Sequence, residues 1–363
     1  MLVGFDARMI DHPGIGRYIS NLLSAMLRLN RGDEFILFGD ERKLSAINTR
    51  LPAVKIVNYN ASVYSLSEQI SEPFSKYNLD VLHVPHFNIP LNYKGNLVVT
   101  IHDLIYLKVP DSGNFLSRAA ARYYINSAIK KAGSVIAVSE NTKKDIAEIS
   151  PGAKTKTEVI YEAADPIFRK ITDETIKDKI RNKYGLAKDV ILFVGSLKKH
   201  KNIERLIDAY SDLKSKGIAH KLVIIGRYRP KEARILNKIR TTDALYLGEI
   251  PSEDLAVIYN ISSLLVMPSL YEGFGLPVLE AFACGVPVAG SFAQSIKEIA
   301  GSAALFFNPE NTLEMSAAMY KIINDQALRQ QLIAKGFEKV REFSWDKTAA
   351  RTLQIYKTIT ERA

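Results

Sequence analysis

Two glutamates, Glu272 and Glu280, stand eight positions apart in the window Met267 to Gly290, which reads M-P-S-L-Y-E-G-F-G-L-P-V-L-E-A-F-A-C-G-V-P-V-A-G. Carboxylates accept hydrogen bonds from vicinal hydroxyls, the chemistry of a sugar or a ribose. Between the two, Gly273 and Gly275 flank Phe274 in a turn where the backbone bends sharply or closely approaches something. Pro277 suits the first turn of a helix that runs on through Val278, Leu279, Ala281, Phe282 and Ala283, and Gly285 and Pro287 end it. The amides near Gly275, Leu276 and Val278 then point out of a helix N-terminus, a place suited to an anionic group. Hydroxyls on the carboxylates with a phosphate on the amides describe a nucleotide sugar. Taken alone, two glutamates at this separation read as well as a solvated loop residue and an exposed helix residue. The rest of the chain decides between these.

Lys201 adds a cation. The run Gly195-Ser196-Leu197-Lys198-Lys199-His200-Lys201-Asn202 follows an apolar strand, Val190 to Val194, and precedes a helix through Leu206, Ile207 and Tyr210. A lysine so placed can set its ammonium beside a phosphate. Lys198 and Lys199 read as exposed. In the first half, the strand Leu97 to Ile101 runs into His102, and residues just past the C-terminal end of such a strand face a ligand crevice. His83 and His86, in L-H-V-P-H-F-N, either line that side or pack. Gly14-Ile15-Gly16-Arg17-Tyr18 leads from a first strand, Leu2 to Phe5, into a helix carrying Ile19, Leu22, Leu23, Met26 and Leu27, but lacks the third glycine of the dinucleotide fingerprint.

The elements that must hold these groups alternate. Short apolar runs recur at Phe35 to Phe38, Val54 to Val57, Val81 to Val84, Leu97 to Ile101 and Val135 to Val138, with helices between them. The pattern predicts a parallel, doubly wound sheet. A second set follows at Val190 to Val194, Leu222 to Ile225, Leu245 to Leu247, Leu264 to Met267, Val286 to Ala289 and Ala304 to Phe306. Phe115 to Ala132 predicts a helix with Arg118 and Arg122 on one face and Lys130 and Lys131 after them, either a solvated basic face or a surface drawn to anionic lipid. Ser139 caps the next helix.

With these residues in view, the chain resembles the retaining glycosyltransferases of family 4, whose E-x7-E motif is followed by a helix, Gly and apolar-Pro-Val. Both glutamates, the G-F-G turn and the C-G-V-P-V exit match. The resemblance implies the GT-B fold, an α/β arrangement of two Rossmann-like doubly wound domains facing across a cleft. The expected division is an acceptor-side domain at 1–165, a donor-binding domain at 166–344, and a helix at 345–363 crossing back to the first. It implies retention at the anomeric carbon, with Glu272 positioning sugar hydroxyls, Glu280 the ribose, His102 contacting the sugar and Lys201 meeting the leaving phosphate. Gly16 and Arg17 resemble the loop that approaches the donor phosphates. Gly226 and Leu247 fall in segments resembling those that hold the nucleotide base, and Phe274, Gly275 and Leu276 in the turn at the donor. Two departures stand out: Ser196 occupies the place of a phosphate-binding Arg, and His200 that of the Arg before the lysine. Near Y-E-A-A-D-P-I-F-R the chain resembles the family's interdomain joint, with Glu162-Ala163-Ala164 in place of Asn-Gly-Val.

Composition is compatible with this. The 363 residues suffice for two domains with cores, and 47% hydrophobic with 24% charged residues describes a folded protein. Net charge is +10, and most of the excess lies after Asp165, where 30 Lys and Arg face 22 Asp and Glu. That suits anionic ligands; no nucleic-acid motif accompanies it. The single cysteine, Cys284, excludes an internal disulfide and reads as a packed thiol. No stretch reaches the length of a membrane span and none reads as a signal peptide, so the expected location is cytoplasmic, with peripheral attachment to the inner membrane face. No D-x-D and no His/Cys pattern with metal spacing occurs, so neither a metal nor another cofactor is expected. The expected partners are a nucleotide-sugar donor, GDP-mannose preferred, and a glycan or polyprenyl-linked acceptor of surface-polysaccharide synthesis. A phosphorylase, a sugar-nucleotide epimerase and a non-catalytic binding subunit are the alternatives.

Overall fold

The computed structural model describes residues 1–30, 32–48, 54–63, 65, 68, 72–109 and 115–362. They gather into two compact units, Met1–Glu162 with Ser344–Ala363, and Ala163–Phe343. Among the described residues the first unit holds seven strands: β1 (Leu2–Asp6), β2 (Glu34–Gly39), β3 (Val54–Asn58), β4 (Val81–Val84), β5 (Leu97–Ile101), β6 (Ser134–Ala137) and β7 (Thr157–Val159). All pair in parallel in the order β3-β2-β1-β4-β5-β6-β7. Every residue of β4, β5 and β6 is buried, as in a sheet covered on both faces. Strand β7 has no counterpart in the sequence reading, because T-E-V is three residues long with Glu158 exposed and offers no apolar run. Strand order reverses between β1 and β4, which opens a crevice at their C-terminal ends.

The helix Ile15–Leu29 buries Ile19, Leu22, Leu23, Met26 and Leu27, the stripe its spacing predicts, and Tyr18 besides. Helix Trp345–Thr360 belongs to the same unit: the Trp345 ring lies edge-on to Tyr18 at 5.9 Å, Thr348 donates to the Tyr161 carbonyl at 2.6 Å, and Tyr356 Oη lies 2.5 Å from His83 Nδ1. The helix Phe115–Lys131 forms as expected, but Lys131 leaves its basic surface. Its ammonium donates to the carbonyls of Leu91 and Tyr93, holding a neighbouring loop.

The second unit holds β8 (Val190–Val194), β9 (Lys221–Ile225), β10 (Leu245–Gly248), β11 (Ser262–Met267), β12 (Val288–Ser291) and β13 (Ala304–Phe307). Its parallel order is β10-β9-β8-β11-β12-β13, with the reversal between β8 and β11. Strand β12 starts two residues later than the apolar run suggests, since Pro287 has no amide to give the ladder and contributes only its carbonyl, to Leu265. Both sheets are therefore Rossmann-like and doubly wound, as the alternation predicts. Among the described residues no helix is long and apolar enough to cross a membrane.

Candidate functional site

At the reversal point of the second sheet, the loop after β8 and the loop after β11 meet. Three loop ends are knitted side by side there: Gly195 N donates to Ile225 O at 2.9 Å, Gly226 N to Gly248 O at 2.8 Å, and Tyr246 Oη to Gly226 O at 2.8 Å. Gly226 has φ 145°, and a Cβ built on it would land on the Gly195 carbonyl oxygen, so no other residue fits. Leu247 is half-exposed on the adjoining strand, and Ser196 on the loop after β8.

Lys199–Lys201 form one 3-10 turn, and Asn202 follows in the left-handed region at φ 60°, a conformation asparagine tolerates better than most residues. The Asn202 amide donates to the carbonyls of Pro268 at 3.0 Å and Pro309 at 2.6 Å, clamping the turn to the end of β11. Leu270 N donates to His200 O at 2.8 Å. These tethers bring Lys201 Nζ to 2.6 and 2.8 Å from the two oxygens of Glu272. Ser269 Oγ donates to the same carboxylate at 2.6 Å, Ser295 Oγ to the Glu272 carbonyl at 2.8 Å, and Ser291 Oγ to the Ser269 carbonyl at 2.6 Å. Burial alone would raise the Glu272 pKa, yet the charge and hydrogen bonds of Lys201, with Ser269 and His200 behind them, hold it below the ordinary carboxylate value. Burial, then Lys201, pushes His200 down to about 4, so its ring is neutral near pH 7.

The helix Leu276–Cys284 starts on Gly275, at φ 120°, and ends on Gly285, at φ 72° in the left-handed region. One expected amide is spent: Val278 N donates to Gly275 O at 2.9 Å and is not available to an anion. Glu280 is only 1% exposed, and its carboxylate accepts from Tyr259 Oη at 2.7 Å. Phe274 packs edge-on to Phe343 at 6.1 Å. Its ring is thus part of the core, and only its backbone borders the turn. Cys284 is buried, its thiol pushed up to about 12 first by desolvation and then by Glu280, and so is inert.

In the first unit, His102 is a separate feature. Its Nδ1 lies 2.8 Å from Glu162 Oε1, its Nε2 3.2 Å from the Pro85 carbonyl oxygen, and its ring sits edge-on to Tyr18 at 4.7 Å. Glu162, read in the sequence only as a departure at the joint, is the residue that orients this imidazole. His83 packs instead: it is fully buried between Tyr356 Oη and Thr100 Oγ1, and burial lowers its pKa to about 3. Gly16 lies in the first turn of its helix, where its amide donates to His12 O at 2.7 Å and a Cβ would strike the Ile10 carbonyl. That glycine is demanded by packing, and its amide is not open to a phosphate. Arg17 follows it in the same turn, half-buried.

Lys201 and Glu272, given separate roles from the sequence, lie side by side here, while Ser269, Tyr259, Asn202, Ser295 and Glu162 carry no site role in the sequence reading. None of them stands out by type; Ser269 is a near neighbour of Glu272 in the chain, and the other four are recruited across tens of residues by the fold.

Comparisons with known proteins agree with this architecture. A family model described as Glycosyltransferase Family 4 matches residues 13–167, and one described as Glycosyl transferases group 1 matches residues 176–339. The O-antigen chain mannosyltransferase B of Escherichia coli is 29% identical over 99% of this chain and 100% of its own length. The serotype-specific mannosyltransferase WbdA of Escherichia coli is 30% identical over 77% of this chain, which spans about 35% of that protein. Among solved structures, the Anabaena Alr3699/HepE complex with UDP-glucose superposes with TM-score 0.79 at 17% identity, over 99% of this chain and 100% of that one. WaaG, a glycosyltransferase involved in lipopolysaccharide biosynthesis, does so with TM-score 0.73 at 16% identity, over 98% and 99%.

Proposed function

Given that this chain belongs to the GT-B glycosyltransferases, with a family 4 N-terminal half and a group 1 C-terminal half, we propose that it is a retaining hexosyltransferase moving mannose from GDP-mannose to a glycan of surface-polysaccharide synthesis. The observation that carries this reading is the Lys201–Glu272 pair, fixed at the reversal point between β8 and β11, where doubly wound sheets take their ligands. Transfer breaks the bond between the anomeric carbon and the diphosphate oxygen. The charge that develops on that oxygen needs fixed positive potential. Lys201 supplies it, aided by the amides at Gly275 and Leu276 where the helix Leu276–Cys284 starts, in place of a metal ion. Glu272, kept ionised by Lys201 and Ser269, accepts from the hydroxyls of the transferred hexose. The acceptor hydroxyl attacks from the face the diphosphate leaves, and its proton passes to the departing phosphate oxygen. Glu280, held by Tyr259, takes the ribose hydroxyls. In the first unit, His102, oriented by Glu162, serves the transfer step through the sugar.

The choice of mannose and of a surface glycan is supported by the relatives named as O-antigen mannosyltransferases. A lipid-linked form of that glycan fits the helix Phe115–Lys131, where Phe115 and Leu116 are 84% and 75% exposed beside Arg118 and Arg122. To test the reading, the purified protein is incubated with GDP-, UDP- and ADP-sugars under excess chelator, and nucleoside diphosphate release is followed by chromatography. GDP release from GDP-mannose, unaffected by chelator and lost in Glu272→Ala and Lys201→Ala, is expected. Absence of both release and nucleotide-induced thermal shift for every donor overturns the assignment.

A further inference from the structure

The first unit has a reversal point of its own, between β1 and β4, and a small recess sits at it. Asp6 and Arg8, at the end of β1, meet His86 and Asn88, past the end of β4, around a cavity of about 10 Å³. That space holds one water or one hydroxyl group and nothing larger. Met9, Val63, Val84 and Pro85 make most of its surface apolar, and behind its polar side lies a buried charge network. Arg8 Nε and Nη2 donate to the two Asp6 oxygens at 2.9 and 2.6 Å, Nη2 also to Glu68 at 2.5 Å, and Nη1 to the Ala61 carbonyl at 3.3 Å, while the guanidinium lies 4.5 Å over the Tyr59 ring. Arg8 is therefore committed to the protein, and two carboxylates outnumber it. A phosphate entering here would meet net negative charge.

Asn88 supplies what this network lacks. It is 1% exposed, and its Nδ2 donates to the second oxygen of Glu68. A carboxylate paired with arginine only accepts, so the amide is fixed with its Oδ1 turned away from Glu68. That oxygen has no hydrogen-bond partner among the described residues, an expensive state for a buried acceptor unless something fills it. The Asn88 amide N donates to His86 Nδ1 at 3.1 Å, and burial drives the His86 ring down to about 3, so near pH 7 that ring is neutral and carries its proton on Nε2. The recess thus presents an unfilled acceptor in a space the size of one hydroxyl, at the place where a doubly wound sheet takes ligands.

We propose that Asn88, held by the Glu68–Arg8–Asp6 network, receives one hydroxyl of the acceptor's terminal sugar, so that this recess reads the neutral sugar and rejects phosphate. The proposal rests on the glycosyltransferase reading above and adds the group that selects the acceptor. Its test uses the full chain, with methyl α-D-mannopyranoside and its four monodeoxy analogues as probes. Binding is measured by saturation-transfer NMR, and GDP release from GDP-mannose is followed with and without the glycoside.

The expected result is binding of the parent glycoside and loss of at least about tenfold for one deoxy analogue. In Asn88→Ala, glycoside-stimulated release falls by about tenfold or more, while release without glycoside stays within about twofold of wild type. The analogue series on the wild-type chain keeps the test valid even if the variant folds poorly. Equal binding of all analogues, unchanged stimulation in Asn88→Ala, or no binding of the parent glycoside overturns the proposal and leaves the recess to one bound water. Acceptor-free GDP release reads the donor residues alone, so its absence would count against the glycosyltransferase reading and its presence with a silent recess against this inference only.

Discussion

Lys201 and Glu272 are each tied to a different loop, and each is the other's counter-ion. Removing one leaves the other charged and part-buried, so Glu272→Ala and Lys201→Ala should each cost about 1–3 kcal/mol of stability, less than a fully buried pair because 17% and 10% of these side chains remain exposed. The double variant should cost less than the two losses combined, and a double-mutant cycle on urea midpoints measures the difference. Cys284 makes the opposite prediction. With its thiol buried and pushed up to about 12, it should resist alkylation in the native chain, and Cys284→Ala should keep donor turnover within about twofold. At this scale the sequence is legible where a motif concentrates the chemistry. Glu272 and Glu280 are visible because G-F-G stands between them, whereas Ser269 and Tyr259, which hold them, look like any other serine and tyrosine. Glu162 was in view only as a mismatch, and its meaning comes from lying 2.8 Å from His102 across 60 positions of chain.

Elements came through the sequence better than residues did. The apolar runs that give β4, β5 and β6 are long enough and buried enough to announce themselves, while β7 has three residues and adds only Val159 to the apolar core, too little to show as a run. Between elements, the tight point is the junction of the β8 and β9 loops. Gly226→Ala would drive a methyl into the Gly195 carbonyl at a φ that L-residues avoid, so a loss of about 3 kcal/mol or more is expected, with donor turnover falling alongside because Lys201 follows the same loop. Gly217, at φ 80° with open space around it, serves as the control: Gly217→Ala bears only the backbone penalty of about 1 kcal/mol. Thermal melts of both variants beside the wild type check the ranking. The helix Phe115–Lys131 gives a prediction of another kind. Arg118→Glu with Arg122→Glu should reduce co-sedimentation with phosphatidylglycerol vesicles severalfold and leave binding to neutral phosphatidylcholine vesicles unchanged. Equal loss on both vesicle types would remove the electrostatic account.

For the molecule as a whole, four imidazoles lowered first by burial shape stability in acid: His83, His86, His200 and, less strongly, His220. Burial holds His83 and His86 at about 3 and His200 at about 4, against an ordinary 6.5. A histidine whose folded pKa is lowered favours folding fully above 6.5, and that contribution is lost as pH falls toward the folded value, because the unfolded chain takes up the proton first. Glu272, lowered from 4.5, adds stability above that value and gives it up only in stronger acid. Urea midpoints should therefore fall steadily from about pH 6.5 to about pH 4, and His200→Asn should flatten part of that slope. A midpoint independent of pH over this range would contradict the buried, neutral state of these rings. The last consequence concerns synthesis. The second unit is one continuous stretch, 163–343, while the first is closed only by Trp345–Thr360, whose Trp345, Thr348 and Tyr356 sit against Tyr18, Tyr161 and His83. A chain emerging from the ribosome therefore finishes its later half before its earlier one, and the newborn N-terminal sheet must wait, incompletely covered, for the final helix to arrive.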